Sequence, residues 1–326
     1  MRFVPRGLLP GLAWTTGIAL VAWLLAQVVP LLGAAVLALL LGLAVSVVRR
    51  PAPRAARGIA FSSSVLLQLA IVLLGSTLRL GEVLRVGVKS LPVMLGTLAV
   101  ALGGAALLGR LLAVSPRLRA LIGVGTGICG ASAIVAISRI VEATGTEITY
   151  AISTIFVFNL VAVVLFPPLG HLLHLSQHGF GLWAGTAVND TSSVVAVAYA
   201  YGHSAGSQAV VVKLTRTTLI VPIALGLSAL RSRGTGTRPH RLVPRFLIGF
   251  VLASILNTAG LIRAGAHRPL ADAAVALITV ALAGVGLASD LGSMRRTGPR
   301  PLLLGALLWV GVAAVSLLLQ AAPAQL

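Results

Sequence analysis

Eleven apolar stretches, at residues 12–29, 31–48, 58–78, 90–113, 118–138, 149–166, 180–201, 208–230, 245–262, 267–289 and 301–319, follow one another along 326 residues with short connections between them. Each is close to the roughly 20 residues that an α-helix needs to cross a bilayer. In hydrocarbon every backbone polar group must be satisfied within its own segment, so the pattern predicts an all-α polytopic membrane protein of about eleven transmembrane helices. Composition agrees: 58% of residues are hydrophobic and 10% charged, whereas a soluble domain carries roughly 25% charged residues. The longest polar stretch, 231–245, is rich in Arg, Gly and Thr. It is too short to fold alone and reads as a solvated linker between the halves 1–166 and 180–326 of one transmembrane domain. The first apolar stretch follows Arg2 and Arg6 in the manner of a signal peptide, but it runs straight into the second, which predicts an uncleaved helix.

The formal net charge is +19, from 25 basic and 6 acidic residues. On a soluble chain such an excess would point to nucleic acid. Here the basic residues lie between apolar runs and act as topology signals, which excludes a nucleic-acid partner. With the N-terminus inside, interior loops hold 17 Lys/Arg and exterior loops 6, and the remaining two, Lys213 and Arg216, lie within an apolar stretch. The bias predicts a cytoplasmic N-terminus and an exterior C-terminus. The single cysteine, Cys129, rules out an internal disulfide and a CxxC metal site, and no cofactor is predicted. Cys129 itself reads as a small packing residue.

Two self-similarities run through the chain. At an offset of 209, residues 74–96 align with 283–305, matching Gly75 with Gly284 and Pro92 with Pro301, and the charge-based topology turns these hairpins in opposite directions. At an offset of 60, GTGICGASAIVAIS (Gly125–Ser138) aligns with GTAVNDTSSVVAVA (Gly185–Ala198). Inverted repeats with broken helices at the membrane midplane mark secondary transporters. On the same topology, however, the second pair runs in one direction. Either one match is accidental or one stretch is re-entrant.

The polar residues inside these stretches are the candidates for chemistry. Gly125, Thr126, Gly127, Gly130 and Ser132 interrupt an apolar run with small and hydroxyl residues, which either unwind to offer helix N-terminal amides to an anion or simply pack helices closely. Gly185, Thr186, Asn189, Asp190, Thr191, Ser192 and Ser193 add a carboxylate, which caps a half-helix, lines a polar path, or does both. Lys213 and Arg216 are three residues apart and share a helical face. Two cations in hydrocarbon call for an anionic partner, which Asp190 and a substrate anion would supply, although Lys213 also lies near enough to the interface to snorkel. Asn159 lines a cavity or ties helices together. Glu82 and Asp290 read as caps or surface ion pairs, Glu142 and Glu147 as solvated loop acids, Asp272 as a helix-dipole partner, and His171, His174 and His178 as histidines lying along one interfacial face.

GICGASAIVA (Gly127–Ala136), GLWAGTAVNDTSSVVAVAYAYG (Gly181–Gly202), VVKLTR (Val211–Arg216) and the segment Gly284–Leu291, in this order, resemble the YeiH-like bacterial membrane family, often labelled sulfate exporters. The resemblance extends from about residue 30 to 320. It implies the cation/proton antiporter and anion transporter superfamily, with inverted repeats, broken helices and an inner-membrane location. The family commonly carries His before the acid and Gln a few positions later, where this chain has Asn189, Asp190 and Ser193. An imidazole titrating near neutrality is therefore absent at that position.

The sequence thus predicts a secondary transporter of a small anion, sulfate or a related oxyanion or sulfonate, working by alternating access in the lipid bilayer. These Gly, Thr and Ser positions together with Asn189, Asp190, Lys213 and Arg216 would bind the substrate, with H+ or Na+ as a coupling ion and a homodimer left open. The alternative is an H+ or Na+ exchanger centred on Asp190. A channel is less favoured, and an intramembrane enzyme less still, because no acid-rich metal motif, facing Asp pair or Ser/His pairing is present.

Overall fold

Helix starts follow recognisable caps. Ser115 accepts from the Leu118 amide ahead of Pro116, Thr144 and Glu147 form a capping box, and the Ser176 and Asp190 side chains each accept amides of the turn that follows. The computed structural model describes residues 7–28, 32–49, 51–224, 244–289 and 298–321, without the side chain of Ala264. Among these every element is helical: α1 Leu9–Ala26, α2 Gly33–Val48, α3 Pro53–Gly75, α4 Leu80–Leu111, α5 Pro116–Gly127, α6 Ala131–Ser138, α7 Gly145–Leu172, α8 Gln177–Ala187, α9 Thr191–Tyr201, α10 His203–Thr218, α11 Arg245–Thr258, α12 Ala264–Ala288 and α13 Pro299–Ala321. Six of the described helices (α1, α3, α4, α7, α12 and α13) are long and apolar enough to cross a membrane unaided, and α2 and α11 are shorter apolar helices. The linker 231–245 and Asp290 lie largely or wholly outside the described residues.

Some boundaries differ from the sequence expectation. α4 begins at Leu80 rather than near residue 90, since Arg85 and Lys89 lower the hydropathy of a turn that is nonetheless helical. α3 contains a π-helical stretch, Phe61–Leu66, around its three serines.

The stretches 118–138 and 180–201 are each broken into two half-helices. At an offset of 60 the breaks coincide: α5 ends at Gly127 and α8 at Ala187, while α6 begins at Ala131 and α9 at Thr191. Each broken stretch returns to the end it came from. At the base of the first, Ser115 Oγ donates to Glu147 Oε1 at 2.8 Å, joining the start of α5 to the start of α7. At the base of the second, Gln177 donates to Tyr201 O at 3.3 Å and accepts from the Ala205 amide at 3.0 Å. α8 has 11 residues, a rise of about 16 Å, which is half the hydrocarbon thickness. Both stretches are therefore helical hairpins, one on either end of the 28-residue α7, with their tips touching at mid-depth. An ideal Cβ on Gly130 would lie 3.2 Å from Asp190 Cβ. Re-entrance at both places reconciles the second self-similarity with an inverted arrangement. The 209 offset fits less well, because α3 ends at Gly75 whereas α12 runs on past Gly284 to Ala288.

Packing does not divide at the linker. α12 packs on α1, α2 and α3 and α11 on α3, while α13 packs on α4, α5, α7 and α8, and α9 crosses between these two groups, packing on α2 as well as on α7 and α10. Small residues permit the closest crossings: a Cβ on Gly286 of α12 would meet Leu39 O of α2 at 2.2 Å. The second hairpin is fastened by Trp183, which stacks on Phe166 of α7 at 4.0 Å and donates from Nε1 to Ala313 O of α13 at 3.0 Å.

The hairpin assignment makes a topological prediction. In a Cys129→Ser background, single cysteines at exposed Arg117 and Arg139 are expected to react with a membrane-impermeant maleimide from one face of the membrane, and cysteines at exposed His174 and His203 from the opposite face. Labelling of Arg117→Cys and Arg139→Cys from opposite faces would restore a crossing helix and remove the hairpin.

Candidate functional site

The two hairpin tips bring four half-helix ends to one level. The C-terminal ends of α5 and α8 carry partial negative charge from unpaired carbonyls, and the N-terminal ends of α6 and α9 carry partial positive charge. Lys213 and Arg216 of α10, both fully buried, answer the first pair. Lys213 Nζ donates to Ile128 O at 3.0 Å and to Val188 O at 2.8 Å. The Arg216 guanidinium donates to Thr186 O and, at 3.4 Å, to Thr126 O. Residues 126 and 186, and 128 and 188, are equivalent at the 60-residue offset. Each cation thus bridges one pair of equivalent carbonyls, and together they fasten the tips to each other and to α10.

Asp190 serves the other polarity. Its Oδ1 accepts from the amides of Ser192 and Ser193 at 2.7 and 3.2 Å and from Ser192 Oγ at 2.5 Å, and its Oδ2 accepts from Ser193 Oγ at 2.6 Å and Asn159 Nδ2 at 2.8 Å. Asn159 also accepts the Asn189 amide at 3.0 Å, so it ties α7 to the tip. The equivalent end of α6 is different. Gly130 occupies the place of Asp190 with φ +68, a conformation that favours glycine, and no side chain caps the helix.

That uncapped end opens into a cavity of about 350 Å3. The hairpin tips contribute Cys129, Ala131, Ser132, Asp190, Thr191 and Ser192 to its wall, α7 contributes Asn159, and α3 contributes Ser63, Ser64 and Gln68. Thr217 of α10 and Phe246 of α11 complete it, so the cavity lies along the seam between the two packing groups. Of the sequence candidates, Ser132, Asp190, Thr191 and Ser192 reach this cavity. Gly125, Thr126, Gly127, Gly185, Thr186 and Ser193 lie behind the tips in buried packing, as do Lys213 and Arg216. Asn189 is fully buried, and its side-chain amide has no partner among the described residues. The cations meet carbonyls, and Asp190 meets hydroxyls and amides. Neither hydrogen-bonds the other.

Ser63, Ser64, Gln68 and Thr217 were not among the sequence candidates. The triple serine inside an apolar run was the available signal for the first two. A second cavity, of about 880 Å3, opens between the start of α4 and the bases of α8 and α10, with Glu82, Arg85, Lys89, His178 and Gln208 on its wall. The histidines diverge, since His171 stacks on Tyr201 while His178 faces Gln208 at 3.3 Å. Glu147, expected as a solvated loop acid, instead completes a helix cap and the base of the first hairpin.

The fold and this site define a polytopic all-α membrane protein with paired half-helices. The chain belongs to the family described as conserved hypothetical protein 698, whose model matches residues 10–305, in agreement with the YeiH-like resemblance. It is similar to UPF0324 membrane proteins of Streptococcus pyogenes serotype M6 (41% identity, 96% of each chain), Streptococcus agalactiae serotype V (40%, covering 96% of this chain and 97% of the relative) and Clostridium tetani (37%, 95% and 96%). No solved structure matches the chain.

Proposed function

We propose that this protein is a secondary transporter that carries a small anion across the bacterial cell membrane by alternating access, without a bond-breaking step. The carrying observation is the uncapped N-terminus of α6, which opens into the seam cavity beside Ser132. Such an end attracts an anion through its amides and dipole. Charge balance supports the same reading. Even with Asp190 counted as a full negative charge, Lys213 and Arg216 behind the tips exceed it by one, and a net positive charge near the cavity favours an anion there. Sulfate, a related oxyanion or a sulfonate is the substrate class, and the seam between the two packing groups is the surface along which access alternates.

Orientation follows from the hairpins. With both broken stretches re-entrant, Arg139 joins the N-terminal face, and the Lys/Arg bias moves from 17 against 6 to 18 against 5. This supports a cytoplasmic N-terminus and an exterior C-terminus.

The test is saturable uptake of radiolabelled sulfate, sulfite, 2-hydroxyethanesulfonate and lactate into proteoliposomes. At least one is expected to show counterflow. Ser132→Ala is expected to weaken its apparent affinity roughly ten-fold, the loss of one hydrogen bond to a charged group, with unchanged thermal stability. A Ser132→Ala variant with wild-type affinity would remove this helix end from the site. Because Asp190 also lines the cavity, the competing reading is H+ or Na+ exchange at that carboxylate. Flux that follows a Na+ or pH gradient with no transported anion would favour it.

A further inference from the structure

The hydroxyl hydrogens around the seam cavity are unevenly committed. On α3, the π-helical stretch turns Ser63 and Ser64 toward the cavity, while Ser62 is held inward by Thr15 at 2.9 Å and by Gly58 O at 3.0 Å. Ser63 Oγ and Ser64 Oγ both donate to Ala60 O, at 3.3 and 2.6 Å. On the same cavity, Thr217 Oγ1 of α10 donates to Lys213 O at 2.8 Å. A hydroxyl has one hydrogen, so these three present lone pairs to the interior. The donors lie on the first hairpin, at the uncapped start of α6 and on Ser132, while Asp190 and Ser192 of the second hairpin add acceptors. Ser62 pairs with Thr15 of α1, but Ser63 and Ser64 hydrogen-bond only within their own helix among the described residues. Only Ser62 is fully buried, and polar side chains in a spanning helix mark a pathway.

We infer that Ser63 and Ser64 of α3, with Thr217 of α10, set substrate specificity by accepting hydrogen bonds, and that the transported molecule is a small anion bearing a hydroxyl or ammonium donor at the end away from its anionic group. This rests on the anion reading above and adds to it the second recognition element. The anionic group faces α6 and Ser132, and the donor group faces the acceptor wall. The ligand therefore bridges the two packing groups, and α3 recognises the half of the substrate that the hairpins do not. Gln68, on the same wall, offers either polarity.

The probes are matched pairs that differ by one terminal donor: 2-hydroxyethanesulfonate against propane-1-sulfonate, and 3-hydroxypropionate against butyrate. Binding is read as a shift in melting temperature of the purified full chain in sodium-free choline buffer, with wild type beside the double variant Ser63→Ala/Ser64→Ala and the single variant Thr217→Val. Wild type is expected to bind the donor-bearing member of at least one pair roughly ten-fold more tightly, and the double variant is expected to bind both members alike, at the weaker affinity. Equal binding of both members by wild type overturns the inference while leaving the anion reading intact. Binding of neither member in any pair overturns the inference, and a melting temperature that also fails to shift with sulfate and sulfite overturns the anion reading itself. A shift produced by Na+ alone, abolished in the double variant, would make the acceptor wall a cation site and overturn the inference as well. Unliganded melting temperatures guard against a folding defect. Ser63→Thr/Ser64→Thr, which keeps the hydroxyls, is expected to retain the discrimination.

Discussion

Lys213→Met is expected to lower the melting temperature by about 5–15 °C and to abolish transport. The methionine fills most of the space but donates nothing. Ile128 O and Val188 O, which Lys213 bridges, become buried carbonyls without a partner. Each such group costs about 1–3 kcal/mol, and the two half-helix C-termini also lose their compensating charge. Arg216 remains on Thr126 O and Thr186 O one turn away. The variant should therefore still insert, with the tips separated from α10. Cys129, the single cysteine, sits between Ile128 and Gly130 and is buried, so it reports this opening directly. Its reaction with a thiol dye, measured below the melting transition, is expected to accelerate at least about ten-fold, as a local opening made easier by 1.4 kcal/mol or more requires. A melting temperature within 2 °C of wild type together with unreactive Cys129 would mean that the carbonyl pairs do not hold the tips.

The second large effect concerns Asp190 and Asn159. Asp190→Asn keeps shape but converts one acceptor into a donor. If Oδ2 becomes the amide nitrogen, it faces Asn159 Nδ2, now donor against donor at a distance that was 2.8 Å. If Oδ1 does, it faces the Ser192 and Ser193 amides instead. Flipping Asn159 relieves the first conflict but removes the acceptor of the Asn189 amide. Either arrangement leaves at least one mismatch, a loss of about 1–3 kcal/mol each. Combining it with Asn159→Asp restores the polarity between α7 and the tip, because the new carboxylate accepts from the Asn189 amide and from residue 190, while the Ser193 hydroxyl turns from donor to acceptor. The double variant is therefore expected to recover most of the melting temperature lost by Asp190→Asn. Transport should recover less, since the negative charge has moved from the hairpin tip onto α7. A double-mutant cycle in detergent measures the first part and proteoliposome uptake the second. Additive losses would show that the two side chains act independently.

Much of this arrangement was legible in the residues themselves. The polar runs at 125–132 and 185–193 marked the breaks to within a few positions, because glycines and hydroxyls in an apolar stretch weaken the helix where it has no lipid-facing reason to be polar. The 60-residue similarity even carried the register of those breaks, and Asp190 followed by Thr191 and two serines read as a cap, which it is. Direction was less legible. Hydropathy is a scalar and does not distinguish a helix that continues past a break from one that doubles back, so two hairpins looked like two crossings. The role of the cations was also hidden, since the carbonyls that Lys213 meets are 85 and 25 residues away and backbone acceptors leave no trace in composition.

What the amino-acid order determined was the solvent, the helices, the places where they break and the charge that must be accommodated at those breaks, because burial of apolar surface and backbone satisfaction are local demands. Which end each hairpin enters, which carbonyls quench Lys213 and Arg216, and which serines of α3 look into the seam were decided only when distant segments packed. Those features depend on distances across the bundle, and electrostatic and hydrogen-bond partners in a low-dielectric interior are chosen by proximity in space rather than along the chain.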